Sequence, residues 1–197
     1  MTHVTGAASP LARFDALFTE HQRHVLAYAM RRTPTLADAE DVAAETFTIA
    51  WRKLGDVPGD PLPWLYAVAR RVLANQRRGN GRRARLAALL GVEDVPTPLR
   101  VGEDRDGPAF SALASLSPAD QEVLRLVAWE ELRNPQVAEV LGITPNAVAI
   151  RLHRARARFA AALDRETHDH DLKDLDPSRT SAEVKGTHDA AWNGAAE

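Results

Sequence analysis

Residues 134–163 read NPQVAEVLGITPNAVAIRLHRARARFAAAL and contain two runs with helical spacing, separated by the residues LGIT. In the first run, Asn134 is expected to cap a helix whose packed side includes Val137 and Ala138. Gly142 then supplies the left-handed backbone conformation that ends a helix sharply, and Thr144 with Pro145 is expected to cap and begin the next helix. The stretch therefore predicts a helix-turn-helix.

The second helix of this unit has two different faces. At about 100° per residue, four apolar residues cluster on one side and are expected to face the core: Val148, Leu152, Ala155 and Phe159. The opposite side carries Asn146, Ile150 and His153, and arginines at 151, 154, 156 and 158 border it. A solvated amphipathic helix would show a similar pattern, but the capped helix and glycine turn before it favour a helix that enters the DNA major groove. An exposed Ile150 could then contact a thymine methyl group.

The composition is that of an ordinary globular protein. The chain has 197 residues, 45% of them hydrophobic and 26% charged, which suits one medium or two small domains. It has no cysteine, which excludes disulfides, thiolate zinc sites and cysteine nucleophiles, and favours the cytoplasm. No apolar run approaches the roughly 20 residues of a membrane span, and the start MTHVTGAASPLARF lacks the order of a signal peptide, so no membrane association is expected.

The net charge of −2 hides two blocks of opposite sign. Residues 61–90 contain seven arginines and no acid, whereas residues 164–197 contain nine acids and four basic residues, a net charge of −5. The basic block is the sort of surface that holds phosphates.

Apolar periodicity predicts helices over about residues 12–32, 36–54 and 64–78, with GDVPGDPLP as a loop and the state of RGNGRRARLAALL left open. After GVEDVPTPLRVGEDRDGP, helical patterning resumes at Phe110, and Ser117 is expected to cap a helix whose Gln121 or Glu122 reaches back. We therefore predict an all-α protein with a helical domain over 11–90, a flexible linker over 91–109, a helix-turn-helix domain over 110–163 and a disordered acidic tail over 164–197.

Two motifs occur in a fixed order: DAEDVAAETFTIAWRKL with PWLYAVARRVLANQRR, and LSPADQEVLRLVAWEELRNPQVAEVLGITPNAVAIRLHRARARF. Together they closely resemble the bacterial RNA polymerase sigma factors of the extracytoplasmic-function (ECF) type, in the sigma-70 family, over about residues 14–163. The resemblance implies a cytoplasmic, non-enzymatic subunit without cofactor or metal, which binds core RNA polymerase and directs promoter-specific transcription initiation. The implied partners are the β and β′ subunits and promoter DNA, and an anti-sigma factor is a further candidate.

The resemblance also implies three groups of site residues. The helix that docks on the polymerase would carry Asp38, Glu40, Asp41, Glu45, Phe47 and Trp51. The −10 element would be bound by the loop residues Asp56, Val57, Pro58, Gly59 and Asp60, which would hold a flipped base, and by Trp64, Arg70, Arg71, Arg77 and Arg78. The −35 element would be bound by Thr144, Asn146, Ala149, Ile150, Arg151, His153, Arg154 and Arg158.

Other interpretations stay open at this point. A stand-alone helix-turn-helix regulator would bind DNA without polymerase, and the HDHD stretch at 168–171 could hold a catalytic metal, although catalysis needs a rigid site. The acidic tail could compete with DNA through its charge, dock through Leu172, Leu175, Val184 and Trp192, or act as a spacer.

Overall fold

A computed structural model describes residues 9–89 and 107–174, apart from the side chains at 83, 84, 86–89 and 169–174. The described residues form seven α-helices and no strand. The helices are α1 (Pro10–Met30), α2 (Leu36–Arg52), α3 (Pro61–Leu89), α4 (Pro108–Ser115), α5 (Pro118–Ala128), α6 (Asn134–Leu141) and α7 (Pro145–Asp174). None of these helices combines the length and apolar character needed to cross a bilayer.

Helices α1 to α3 form the first unit. Ser9 caps α1 by accepting a hydrogen bond from the Ala12 amide at 3.2 Å, and Thr35 caps α2 by accepting one from the Asp38 amide at 3.1 Å. The core between the helices includes Val25, Tyr28, Val42, Phe47, Leu65 and Tyr66. Each apolar side chain buried in this way stabilises the unit by about 1.5–3 kcal/mol.

Helices α4 to α7 form the second unit, in which the predicted cap at Ser117 is confirmed. Of the four α7 residues predicted to face the core, Val148, Leu152 and Ala155 are buried, and Phe159 is half-buried. The Ser117 hydroxyl accepts a hydrogen bond from the Asp120 amide at 3.2 Å, and Gln121 reaches back to the Leu116 carbonyl at 2.9 Å. The core contains Val123, Leu126, Val137, Val148, Leu152 and Ala155.

The helix-turn-helix consists of α6 and α7. Gly142 ends α6 at φ 67°, and the Thr144 hydroxyl accepts a hydrogen bond from the Ala147 amide at 3.2 Å, both as predicted. The predicted cap of α6 is wrong by one residue, because Asn134 already lies in the helix. There the Gln136 side chain accepts a hydrogen bond from the Arg133 amide at 3.1 Å instead.

Four predicted boundaries need correction. Helix α3 begins at Pro61, inside the predicted loop, and continues to Leu89 through the stretch whose state was open. The rest of that loop is not wholly irregular either, since Leu54–Asp56 form a short 3-10 helix. Helix α4 begins at Pro108, inside the predicted linker, and α7 continues to Asp174, eleven residues into the predicted tail. The rest of the predicted linker and tail, with Leu175, Val184 and Trp192, lies outside the described residues.

The two units pack against each other, with α6 lying along α3. A cluster of polar and charged side chains joins the end of α1 to the second unit, and we call it the interdomain cluster. Its members are Tyr28, Arg31, Arg32, Glu122 and Glu130. Arg32 donates from Nε to Glu122 Oε2 at 3.0 Å and from Nη1 to Glu130 Oε1 at 2.9 Å. Arg31 Nη2 donates to Glu130 Oε2 at 2.6 Å, and Tyr28 Oη donates to Glu122 Oε1 at 3.0 Å.

The interdomain cluster is largely withdrawn from water. The side chains of Arg32 and Glu130 are 2% and 1% exposed. The Arg32 guanidinium lies 3.6 Å from the centroid of the Tyr28 ring, which stacks on Tyr66. On the outer side, the Arg31 guanidinium lies over the Trp129 ring at 5.8 Å. The cluster fixes how the two units are oriented in this closed arrangement.

Candidate nucleic-acid interface

The exposed face of α7 contains the side chains that the periodicity predicts. Val148 and Leu152 are buried, whereas Asn146, Ile150 and His153 point to solvent, and Ile150 is 47% exposed. A large β-branched side chain in that position adds nothing to the core and remains available for an apolar contact. The N-terminal half of α7 therefore presents polar and apolar groups side by side, as base-edge readout requires.

The arginines around this face differ in their surroundings. Arg154 is exposed and has no protein partner among the described residues. Arg158 instead donates from Nη1 to Asp120 Oδ2 at 2.7 Å, so its guanidinium is fixed against α5. Burial alone would raise the pKa of the Asp120 carboxyl, but the hydrogen bonds from Arg158 and Ser117 outweigh it and lower that pKa below its usual value.

Helix α3 carries the second set of cations. Arg70 and Arg71 are exposed one turn or more before Arg77 and Arg78, which are also exposed. Arg77 donates to the Arg32 carbonyl oxygen at 3.2 Å, and Arg78 donates to the Asn75 side chain. None of these partners carries a charge, so the positive charge of this surface remains available to phosphates.

The loop between α2 and α3 is held at both ends. Val57 is buried, and its carbonyl accepts a hydrogen bond from Arg13 Nη2 at 3.2 Å. Asp60 accepts one from Gln136 Nε2 of the second unit at 2.9 Å. Pro58 and Gly59 are exposed between these two anchors, as is Asp56 before them, while Trp64 is half-buried in the first turn of α3.

Helix α2 presents an acidic and aromatic surface on the far side of the first unit. Glu40, Asp41 and Glu45 are exposed, and Asp38 is half-buried, with its Oδ2 accepting a hydrogen bond from the Thr35 hydroxyl at 2.6 Å. Phe47 is 3% exposed and belongs to the core, so it cannot itself form part of a docking surface in this conformation. Trp51 is 46% exposed and packs edge-on against Phe14, with ring centroids 5.2 Å apart.

Two features of the structure were not predicted from the sequence: an aromatic patch that includes Phe18, and the interdomain cluster. Phe18 is 39% exposed beside Phe14, and together with Trp51 the pair forms an exposed aromatic patch. The interdomain cluster was missed altogether, because its partners lie 90 to 99 residues apart in the chain. Only the Arg31-Arg32 pair at the end of α1 hints at it, and such pairs are common on helix surfaces.

The closed arrangement brings Arg151 of α7 close to the arginines of α3. A cleft of about 660 Å³ lies between the units, and its lining includes Arg70, Arg71, Arg77 and Arg78 from α3 and Arg151 from α7. The residues predicted to bind two different promoter elements therefore face one shared space. His168 lies near the end of α7, and the described residues contain no group of three or more histidines and acids that could hold a metal.

Family models match both units. The model for Sigma-70 region 2 matches residues 17–83, and the model for Sigma-70 region 4 matches residues 110–159. The first match runs from within α1 to within α3, and the second runs from within α4 to within α7 and includes the turn between α6 and α7.

Curated relatives agree with these matches. The chain is 34% identical over 166 residues to the ECF RNA polymerase sigma factor SigL of Mycobacterium tuberculosis, which covers 79% of this chain and 92% of SigL. It is 33% identical over 163 residues to the probable RNA polymerase sigma factor RfaY of Xanthomonas campestris, of which it spans only 40%. The chain belongs to the RNA polymerase sigma factors of the ECF type.

Two solved structures are similar in fold. The sigma factor RpoE of Bartonella quintana, in complex with the anti-sigma factor NepR, aligns with a TM-score of 0.60 and 22% identity over 77% of this chain and 96% of that one. CnrH, in complex with the cytosolic domain of CnrY, aligns with a TM-score of 0.55 and 29% identity over 77% of this chain and 88% of that one.

Proposed function

We propose that this chain binds core RNA polymerase and directs it to a specific class of promoters. The observation that carries the proposal is the exposed Asn146, Ile150 and His153 face of α7, held on a helix-turn-helix in the same chain as a Sigma-70 region 2 unit. A stand-alone regulator would need only the helix-turn-helix, and family membership disfavours that alternative.

Each surface has a role in this proposal. The exposed acids Glu40, Asp41 and Glu45, together with the aromatic patch, dock on the β′ clamp of the polymerase, and Phe47 supports the patch from the core. Large aromatic side chains of this sort tend to dominate binding energy at interfaces. Asp38 lies in the first turn of α2, where its amide donates a hydrogen bond to the capping hydroxyl of Thr35.

Promoter contacts are divided between the units. In the first unit, Pro58 and Gly59 present an anchored loop to a base of the −10 element, while the four arginines of α3 hold phosphates. In the second unit, Thr144, Asn146, Ala149, Ile150 and His153 face the −35 element, with Arg151, Arg154 and Arg158 at its phosphate backbone.

The two elements cannot be read from the closed arrangement. The separation that their −10 and −35 names imply is about 25 base pairs, or roughly 85 Å of duplex at 3.4 Å per base pair. Arg151 of α7 and the four arginines of α3 line one cleft of about 660 Å³, so the units must separate before both elements can be bound. Binding to polymerase supplies the spacing, and two weak sites held at the right distance act at high effective concentration.

The chain is proposed to catalyse no reaction itself and to work in the cytoplasm, where the polymerase is found. A protein that holds the closed arrangement would keep it from polymerase, and CnrH, 29% identical in its solved complex, is bound to the cytosolic domain of CnrY. We therefore propose an anti-sigma factor as a regulatory partner.

Transcription in vitro tests the function. Purified core polymerase is supplied with genomic fragments, with and without this chain, and the transcript starts are mapped. We expect a small set of starts that share −10 and −35 elements and that appear only with the chain. A matched reaction contains the variant Asn146→Ala with Ile150→Ala, which should lose most of these starts. Starts that do not depend on the chain, or tight specific binding of the free chain to DNA without polymerase, would contradict the proposal.

A further inference from the structure

The cleft between the two units has an unbalanced charge. Six guanidinium groups line it, those of Arg32, Arg70, Arg71, Arg77, Arg78 and Arg151, together with one carboxylate, that of Glu122. Arg32 is neutralised by Glu122 and Glu130 in the interdomain cluster. The remaining five guanidinium groups form no ion pair within the described part of the chain.

Closing the two units is therefore opposed by repulsion around the cleft. Arg151 comes from α7 and the other four unpaired cations come from α3, so the closed arrangement brings Arg151 toward four like charges, from which it moves away when the units separate. The one carboxylate in the cleft lining is Glu122, which is already bound to Arg32 and Tyr28. Asp120 lies outside the lining, where it is paired with Arg158 and acts on Arg151 only through its electrostatic field. A bound anion would remove this repulsion and bridge the units.

The size of the cleft limits what that anion can be. About 660 Å³ falls within the range of small-molecule sites, roughly 300–1,000 Å³. A DNA duplex does not fit, because a space of about 660 Å³ is only about 9 Å across, whereas the major groove, one part of the duplex, is already about 12 Å wide. Arginine is the side chain that best matches phosphate, since its planar guanidinium can donate two parallel hydrogen bonds.

We propose that this cleft binds a small linear polyphosphate, a ligand with three or more negative charges, which contacts the arginines of α3 and Arg151 of α7 at the same time. Binding to the closed arrangement alone stabilises it by mass action. The ligand also occupies arginines that promoter phosphates need. Its effect on transcription rests on the proposed function, whereas binding and closure are measured without polymerase.

Titration calorimetry on the full chain tests binding, with inorganic tripolyphosphate and ATP as separate probes at near-physiological salt. We expect one site per chain. The variant Arg71→Ala with Arg151→Ala removes one lining cation from each unit and should weaken binding by about tenfold or more. The control variant Arg23→Ala with Arg165→Ala removes the same charge from exposed positions away from the cleft and should change binding by about twofold or less.

The two probes distinguish the source of the phosphates. Equal affinities indicate that the phosphate chain alone is recognised, and tighter binding of ATP indicates that a nucleotide is the ligand. Circular dichroism confirms that both variants are folded. No saturable binding, or equal weakening by the cleft and control variants, would overturn the proposal.

Closure is measured by the distance between two spin labels. Because the chain has no cysteine, Ala16→Cys on α1 and Ala160→Cys on α7, both exposed, provide unique attachment sites. We expect tripolyphosphate to narrow the distance distribution toward its shorter component, and an unchanged or lengthened distribution would overturn the bridging role. If polymerase assays fail while binding and closure hold, the proposed function is at fault and the site is not.

Discussion

The interdomain cluster and the exposed face of α7 both rely on arginine, but the two regions use it in opposite ways. Arg32 is 2% exposed between two carboxylates, whereas Arg154 is exposed and has no partner among the described residues. A buried ion pair gains little net stability, because the charges must first leave water. When the units separate, water hydrates both Arg32 and Glu130 again. The interdomain cluster therefore fixes the orientation of the two units while adding little to the free energy needed to separate them. The exposed α7 arginines instead keep their charge available for a partner.

Removing one member of the interdomain cluster should have the largest effect. Arg32→Ala leaves Glu122 and Glu130 with fewer partners in a buried place, which we expect to disfavour the closed arrangement by about 3 kcal/mol. The spin-label distance between positions 16 and 160 should lengthen and broaden. The control Arg23→Ala, an exposed arginine of α1, should leave it unchanged. An unchanged distance in Arg32→Ala would mean that the other contacts between the units, such as those of α6 with α3, hold them without Arg32.

The second-largest effect is expected from a change in the aromatic patch formed by Phe14, Phe18 and Trp51. Trp51→Ala removes a half-exposed ring from α2, and we expect a loss of about 2 kcal/mol in affinity for core polymerase, or roughly thirtyfold. Titration of labelled chain with core polymerase measures it. Thr48→Ala, at an exposed position on the same helix, serves as the control. Equal affinities for Trp51→Ala and the unaltered chain would place the docking surface elsewhere.

The pairing of Asp120 with Arg158 should affect stability and its pH dependence. Because the pKa of Asp120 is lower in the folded chain than in the unfolded one, the pair stabilises the second unit above about pH 4 and stops doing so as pH falls through the folded-state pKa. Asp120→Asn should cost about 1 kcal/mol at pH 7, a value kept small because Arg158 is 60% exposed.

Urea unfolding at pH 7 and at about pH 3 measures both effects. The stability lost on acidification should be smaller in Asp120→Asn than in the unaltered chain, and the control Asp164→Asn, at an exposed position of α7, should show the full loss. Parallel losses in Asp120→Asn and the unaltered chain would rule out this carboxylate as a source of the acid sensitivity.

The smallest effects should separate phosphate contacts from base contacts on α7. Arg154→Ala should weaken binding of the −35 element for all sequences and reduce the slope of log affinity against log salt by about 0.9. Ile150→Ser should shift preference at one base pair by about 1 kcal/mol. Selection from a randomised promoter library with reconstituted holoenzyme measures both. If the two variants changed the selected sequences in the same way, the assignment of the α7 faces would be wrong.

The sequence predicted the helices whose signals are local. Gly142 and Thr144 act through neighbouring backbone, and the buried side of α7 follows from a simple period, so these predictions are confirmed. The extent of α3 and α7 was underestimated for a common reason. Apolar periodicity reports burial, and both helices continue into segments rich in arginine, alanine or charged residues, several of which favour helix without needing burial. Even Gly79 and Gly81 do not end α3, each costing only about 1 kcal/mol.

The site was predicted less completely than the fold. Motif resemblance assigned Phe47 to the docking surface, but a motif position does not reveal on which side of a helix a residue lies until the neighbouring helix is placed. The pairing of Arg32 with Glu122 and Glu130 depends on how two separately predicted units meet. The periodicity of the chain carries no information about how the units pack. The arginine cleft exists only because of that packing, so it could not be predicted either.

The position of Trp129 gives the molecule an intrinsic optical reporter. Its indole is 36% exposed, and the guanidinium of Arg31 from the other unit lies over the ring. A nearby cation shifts the excited-state energy of indole, so departure of Arg31 should change the emission wavelength of this one fluorophore. Stopped-flow mixing of polymerase with the unaltered chain and with Trp129→Phe isolates the Trp129 signal by difference and leaves Trp51 and Trp64 in place, so it would time the separation of the units directly, without any attached dye.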